Sequence, residues 1–369
     1  MKSQPAVYAF VTVIGLLLML GACASPQSAT TSTVAPLPNF LPHHRPGPMA
    51  NPTMRLYVVQ DGNASGSDDE AGVLSFDLPT SNGNLAPHQF ITGSSTDLVT
   101  PQSVALGPAA DIFATQSGYP AAVYKVAQFN PSANGNAAPN QVISTKSQGV
   151  DAWSVAVDGN GNAWIVGSSY SGGNCTSRYY SGAILKYGKK PSGGFTLANT
   201  IAGAKTGLSC PRTIALDNQG NIWVGNEGAG TSGAGSSIEE FASSASGNVK
   251  PTTTITGSAT RLAQPNQVTI DSSSYGSGRI LVSDDAKGRV FVFAPGSSGN
   301  VSPTAAISSV LFPTGVATDG SGHIYVSSFG DNSIQEFARN ATGGATPILT
   351  IKGSNTDLLR PNNLYLRTL

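Results

Sequence analysis

The sequence predicts an all-β chain: a six-bladed β-propeller of four-stranded antiparallel blades, its ring closed by the C-terminal strand completing the first blade. Three observations predict it. A pattern of proline, small or polar residues, a β-alternating run ending near Asp, a Gly-containing turn and a hydrophobic strand recurs along the chain, most clearly from Pro313 to Phe337 and from Pro211 to Glu227. The strand after the turn returns around Tyr57, Phe113, Trp164, Trp223, Leu281 and Tyr325, roughly 44 to 59 residues apart, the range of propeller blades or just above it. The chain ends complement each other: Arg55 to Gln60 opens without its preceding proline strand, and Pro361 to Leu366 closes without a following one. Joining them removes the sheet edges an open array would expose.

Each unit needs four strands. After the Gly turn comes a strand ending in an aromatic: Val73 to Phe76, Val123 to Phe129, Ile184 to Tyr187, Ile238 to Phe241, Val290 to Phe293 and Ile334 to Phe337. A Gly-Asn or Gly-Gly turn and a fourth strand such as Thr254 to Thr256 follow. Period-two alternation between Gly, Pro, Asn and Ser clusters marks half-buried antiparallel strands, and no helical period is sustained past residue 50.

Before the repeats, Lys2 precedes an apolar run from Ala6 to Leu20, of the length of a signal-peptide core. It ends in Leu20-Gly21-Ala22-Cys23, which resembles the lipobox of bacterial lipoproteins. The resemblance implies cleavage of residues 1–22, diacylation of Cys23 and a membrane partner held through that lipid. Residues 23–51 then read as a flexible tether rich in Ala, Ser, Thr and Pro, and residues 52–369 as the propeller. The implied address is the bacterial cell envelope, lipid-anchored, and the outer membrane if the cell is Gram-negative, because Ala rather than Asp follows Cys23. In an exported chain the other two cysteines, Cys175 and Cys210, are expected to form a disulfide between loops on one face of neighbouring blades.

Composition narrows the partners. With 43 Gly and 24 Pro in 369 residues and few charged or aromatic side chains, the blades pack through Val, Ile, Leu and Ala. Formal net charge is +0, and no basic run exceeds Lys189-Lys190, so the counterion displacement that drives nucleic-acid binding has no source.

Blade six carries a resemblance of its own. Pro313-Thr314-Gly315-Val316-Ala317, the Asp319-Gly320-Ser321-Gly322 turn, Ile324-Tyr325-Val326 and Ile334-Gln335-Glu336-Phe337 resemble an NHL repeat, and the likeness extends over about residues 52–369. It implies a scaffold that binds a partner on one face. The Asp residues ending first strands, Asp158, Asp217, Asp271 and Asp319, read as structural, each bonding nearby backbone amides. Function is therefore sought on the opposite face, where first strands begin and second strands end.

Three features there carry candidate chemistry. Pro265-Asn266 followed by Ser283-Asp284 resembles the strand pair that supplies a divalent metal in gluconolactonase-like propeller hydrolases. The resemblance implies Asn266 and Asp284 as ligands, with Glu227 adding a carboxylate, and a hard cation such as calcium polarising a lactone carbonyl and activating water. The family's N-terminal Glu motif is missing around residues 52–60, and Gln267 stands where a Gly is expected. The loop from Asp61 to Glu70 resembles the start of a calcium loop, with Asp61, Asn63, Ser65 and Asp69 as ligands; its acid falls at the tenth position rather than the twelfth, and a flexible acidic loop is the simpler account. The third-blade insertion from Ser168 to Gly182 offers Tyr170, Arg178, Tyr179 and Tyr180 as adaptable contact area, with Trp153 and Arg212 near it on the channel mouth, for a protein, peptide or glycan ligand.

Other chemistries lack parts. The propeller's histidines, His88 and His323, fall on the far face, away from any Ser or Cys nucleophile at the mouth. The repeat also resembles virginiamycin-inactivating lyases, whose catalysis depends on a His, and the same absence weighs against that activity. The sequence favours a non-catalytic binding scaffold, with the metal-dependent hydrolase as the alternative.

Overall fold

The computed structural model describes residues 53–61, 71–78, 83–116, 123–169, 182–228 and 235–369. The expected signal peptide, Cys23 and the expected tether lie outside them. Within them, six four-stranded antiparallel sheets form a propeller. Blade 1 runs from the channel outward as β24 (Pro361–Thr368), β1 (Met54–Gln60), β2 (Gly72–Leu78) and β3 (Gln89–Thr92), so the C-terminal strand does complete the first blade. Blade 2 holds β4 (Pro101–Leu106), β5 (Ile112–Gln116), β6 (Lys125–Phe129) and β7 (Gln141–Ser144); blade 3 holds β8 (Val150–Val157), β9 (Ala163–Ser169), β10 (Gly182–Lys189) and β11 (Phe195–Ala202). Blade 4 comprises β12 (Pro211–Leu216), β13 (Ile222–Asn226), β14 (Ser237–Phe241) and β15 (Thr253–Thr256); blade 5, β16 (Pro265–Ile270), β17 (Ile280–Asp284), β18 (Arg289–Phe293) and β19 (Ala305–Ile307); blade 6, β20 (Pro313–Thr318), β21 (Ile324–Ser328), β22 (Ser333–Phe337) and β23 (Leu349–Ile351).

The aromatic that ends each third strand explains why the blades stack. Phe76, Phe129, Tyr187, Phe241, Phe293 and Phe337 each enter a different one of six hydrophobic clusters, and each cluster joins two neighbouring blades. The five phenylalanines are fully buried. Removing any one of those rings should cost about 3–5 kcal/mol, because a blade cannot collapse into the gap without opening the ring.

The Asp-Gly turn is the second repeated device. Asp217 Oδ1 accepts the N–H groups of Gln219 (2.9 Å) and Asn221 (2.8 Å), while Oδ2 accepts Asn221 Nδ2 (3.0 Å) and the Trp223 indole N–H (3.2 Å). Asp158 repeats this set with Asn160, Asn162 and Trp164, and Asp319 accepts from Ser321 and His323. In blade 5 the longer turn gives Asp271 the Arg279 guanidinium instead. These carboxylates act as turn clamps, which accounts for an Asp six residues before a Trp or Tyr.

The third device closes the channel. First strands touch one another in ring order around the axis. The innermost strand of a propeller sheet has no partner on its axial side, so alternate N–H groups point into the channel. Each such N–H at one level is taken by a side chain from another blade. Val155 N–H goes to Ser103 Oγ, Ile214 N–H to Ser154 Oγ, Val268 N–H to Thr213 Oγ1 and Val104 N–H to Asn363 Oδ1. Blade 6 has glycine, Gly315, at the corresponding place. Gln267 compensates: its Oε1 accepts both Val316 N–H (3.0 Å) and Leu364 N–H (2.9 Å), and its Nε2 donates to the Leu364 carbonyl (2.7 Å). The residue that departs from the gluconolactonase pattern is thus the bolt of a hydrogen-bonded belt across the channel.

Candidate functional site at the channel mouth

A β-bulge fixes which side chains reach the mouth. In blades 2 to 6 the pairing of the first strand with the second shifts register just inside its start, at Pro101/Ser103, Ala152/Ser154, Pro211/Thr213, Pro265/Gln267 and Pro313/Gly315. The skipped residues are Gln102, Trp153, Arg212, Asn266 and Thr314, and in blade 1 Asn362 precedes the belt residue Asn363 in the same way. Bulges re-aim side chains, and here they turn one residue per blade toward the channel opening.

A second set comes from the ends of the second strands, where two adjacent positions do different jobs. The last strand residue ties down the loop entering its own blade: Gln60 Oε1 accepts Leu359 N–H, Gln116 Oε1 accepts Val99 N–H, and Asn226 Oδ1 accepts Ser209 N–H. Asp284 occupies this tie position in blade 5. Its Oδ2 accepts Ala263 N–H (2.7 Å) and Gln264 N–H (3.0 Å), its Oδ1 accepts Lys287 N–H (3.1 Å), and the residue is fully buried. The next residue faces the mouth instead, and these are Asp61, Glu227, Asp285 and Phe329. The carboxylate that meets Asn266 is therefore Asp285, not Asp284. Aligning the blades at the polar residue that ends each second strand separates the two aspartates, and that signal is readable from sequence.

The mouth residues neutralise one another in two groups. Across blades 3 to 5, Arg212 lays its guanidinium 4.5 Å from the centre of the Trp153 ring and donates from Nε to Glu227 Oε2 at 2.5 Å. Asp285 stands in the field of Arg212 and Glu227, and burial pushes its carboxyl above the usual range despite the bond to Asn266. Across blades 6, 1 and 2, Arg360 covers the Phe329 ring at 4.7 Å and pairs with Asp61 at 3.8 Å, while Gln102 Nε2 reaches Asp61 Oδ1 (3.4 Å) and Asn362 Nδ2 reaches Gln102 Oε1 (3.3 Å). Burial raises Asp61 to about 6, against the opposing pull of Arg360 and Asn362. Each half thus presents a guanidinium held over an aromatic ring.

The donor set can be tested against the divalent cation that the gluconolactonase resemblance implies. Asp284 has its oxygens engaged by three backbone N–H donors. Glu227 already carries Arg212, so a cation between Glu227, Asn266 and Asp285 would stand against a guanidinium. No group of three or more His, Cys, Asp or Glu suited to a metal occurs among the described residues. The residues do not fit the ion: Arg212 supplies the positive charge there. Of the calcium-loop candidates Asp61 is placed, facing Arg360 and Gln102; Asn63, Ser65 and Asp69 lie outside the described residues. So do Tyr170, Arg178, Tyr179, Tyr180 and Cys175. Cys210 is disulfide-bonded, and it sits with φ 50° immediately before the blade 4 proline strand.

No family model matches the chain, and no curated protein matches it. Solved structures do. A Lactobacillus plantarum protein aligns with a TM-score of 0.53 at 13% identity, over 81% of this chain and 82% of that one. A functionally unknown protein from Desulfotomaculum acetoxidans gives 0.51 at 13%, over 84% and 88%. The PQQ-bound aldose sugar dehydrogenase from Streptomyces coelicolor gives 0.50 at 13%, over 74% and 85%. At such identities the shared property is the fold, and the chain is a six-bladed β-propeller.

Proposed function

We propose that this protein is a non-catalytic binding module, tethered by lipid on Cys23 in a bacterial envelope, whose channel mouth engages a polar glycan or peptide ligand. The observation that carries the reading is the pair of guanidinium groups, Arg212 on Trp153 and Arg360 on Phe329, each preset by an aromatic ring and a carboxylate at the rim of a blocked channel. Such groups offer directed N–H donors whose geometry is fixed before the ligand arrives. Metal-assisted hydrolysis needs carboxylates free to hold an ion, and Glu227 and Asp284 are engaged by Arg212 and by backbone N–H groups; Asp285, raised by burial and with an Oδ1 that no group bonds, is the carboxyl an acid–base reading would use.

The test is an array of envelope glycans and peptides probed with the full-length chain. Binding that falls at least tenfold in Trp153→Ala and Arg212→Ala supports the mouth as the recognition surface. Binding indifferent to both substitutions, or turnover of a lactone that Asp285→Asn abolishes, would overturn it. For the anchor, mass spectrometry of the mature N-terminus should find a lipidated Cys23, and Cys23→Ala should release the protein into the soluble fraction.

A further inference from the structure

We propose that the far end of the central channel, beneath the Gln267 belt, is a separate binding site for a small uncharged polyhydroxylated molecule of monosaccharide or polyol size. A cavity of about 240 Å³ opens there, and no charged side chain lines it. Its existence follows from the period of the first strands. At the belt level the axial N–H groups of Val104, Val155, Ile214, Val268, Val316 and Leu364 are all taken by side chains from other blades. Two residues further along each strand, the alternation of an antiparallel pair brings the N–H and C=O groups of Leu106, Val157, Leu216, Ile270, Thr318 and Leu366 back to the axis.

At that deeper level the capping side chains are gone. The positions two beyond Ser103, Ser154, Thr213 and Gly315 are Ala105, Ala156, Ala215 and Ala317, which cannot reach across. Thr269, two beyond Gln267, turns its hydroxyl to donate to the Val316 carbonyl at 2.7 Å, and Tyr365, two beyond Asn363, packs between blades. The result is a ring of backbone donors and acceptors around a neutral space. Five of the six residues at this level are half-buried, so their inward N–H and C=O groups stand open to a ligand that replaces water. A hydroxyl both donates and accepts, so a compact molecule bearing several hydroxyls matches alternating N–H and C=O groups where an ion does not. The site is independent of the mouth: the belt lies between them.

The experiment is calorimetric titration of the full-length chain with glucose, galactose, mannitol and myo-inositol, beside glucuronate and glucosamine as charged counterparts. The expected result is saturable binding of at least one neutral probe, tighter than either charged one. Ala156→Ser and Ala215→Ser place hydroxyls where Ser154 and Thr213 sit in the belt, capping Leu216 N–H and Ile270 N–H, and should each weaken binding several-fold. Ala156→Leu fills the space and should abolish it. Because Leu risks misfolding, the two serine variants carry the test if it does not fold. Arg212→Ala should leave the affinity unchanged. No saturable binding by any neutral probe, which would leave the cavity to water, overturns the proposal. So does equal binding of the charged sugars, or binding lost in Arg212→Ala and kept in the channel variants, which would assign the sugar to the mouth.

Discussion

The two ends of the channel are built from the same six strands and differ in what fills one position in two. At the mouth, the bulged position carries Gln102, Trp153, Arg212, Asn266, Thr314 or Asn362, five residue types over six blades. At the far end, the equivalent inward step carries alanine in four blades and the backbone does the presenting. A repeat fold thus separates an individual surface, written in side chains, from a uniform one, written in main chain. The belt between them keeps the two apart, and among changes at the channel, breaking it should have the largest effect.

Gly315 leaves no room for a side chain in the belt. A Cβ there would meet the Asn362 carbonyl at 2.6 Å, Ser327 Oγ at 2.6 Å and Leu364 Cγ at 2.9 Å. Gly315→Val should therefore destabilise by about 3 kcal/mol or more through overpacking, read by chemical denaturation. Gln267→Ala leaves two N–H groups and one carbonyl unpartnered in a buried place and should cost about 2–3 kcal/mol. Unchanged stability in Gln267→Ala would show that water replaces the bolt without loss.

Glu239 sharpens the comparison from the blade interior. It is 4% exposed, its Oε2 has no hydrogen-bond partner, and burial pushes its carboxyl up to about 7 against bonds from Asn226 and Ser237. Because the folded value lies above the unfolded one, the native state binds the proton more tightly. Stability is then highest below about pH 4 to 5 for this group and falls as pH rises through about 7. Glu239→Gln should remove that slope, raising stability at pH 8 by about 2 kcal/mol with little change at pH 4. Denaturation at the two pH values checks it, and parallel losses at both would contradict it. Asp61→Asn should act in the same direction but less, since the native Asp61–Arg360 contact is lost with the charge. Smallest of all is Arg212→Lys, which keeps the charge but not the planar stack on Trp153 and should cost about 1 kcal/mol in thermal stability.

The fold was legible because its signals are local and repeated: a proline opening five of the six first strands, an Asp clamping a Gly turn, an aromatic near the end of the third strand. The closure by Pro361–Thr368 could be read from two incomplete ends. The mouth was half legible. Its face and Trp153, Arg212 and Glu227 followed from strand order, but Asp284 and Asp285 are neighbours of one type, told apart only when the blades are aligned at the polar residue that ends each second strand, which puts Asp284 under backbone amides and Asp285 against Asn266. The role of Gln267 was not legible, because it answers a glycine 48 residues later in another blade. The well was hidden for the same reason: an alanine is uninformative until the belt residue two places before it is known to cap an amide.

The most direct measurement is thermal melting of the full-length chain with calcium, magnesium or zinc and after chelation. With Arg212 already supplying the positive charge at the mouth, none of the ions should shift the transition, whereas an ion at about a hundred times its dissociation constant would add about 2.7 kcal/mol. A shift that disappears in Asp285→Asn or Glu227→Gln would contradict the account and make the mouth a metal site.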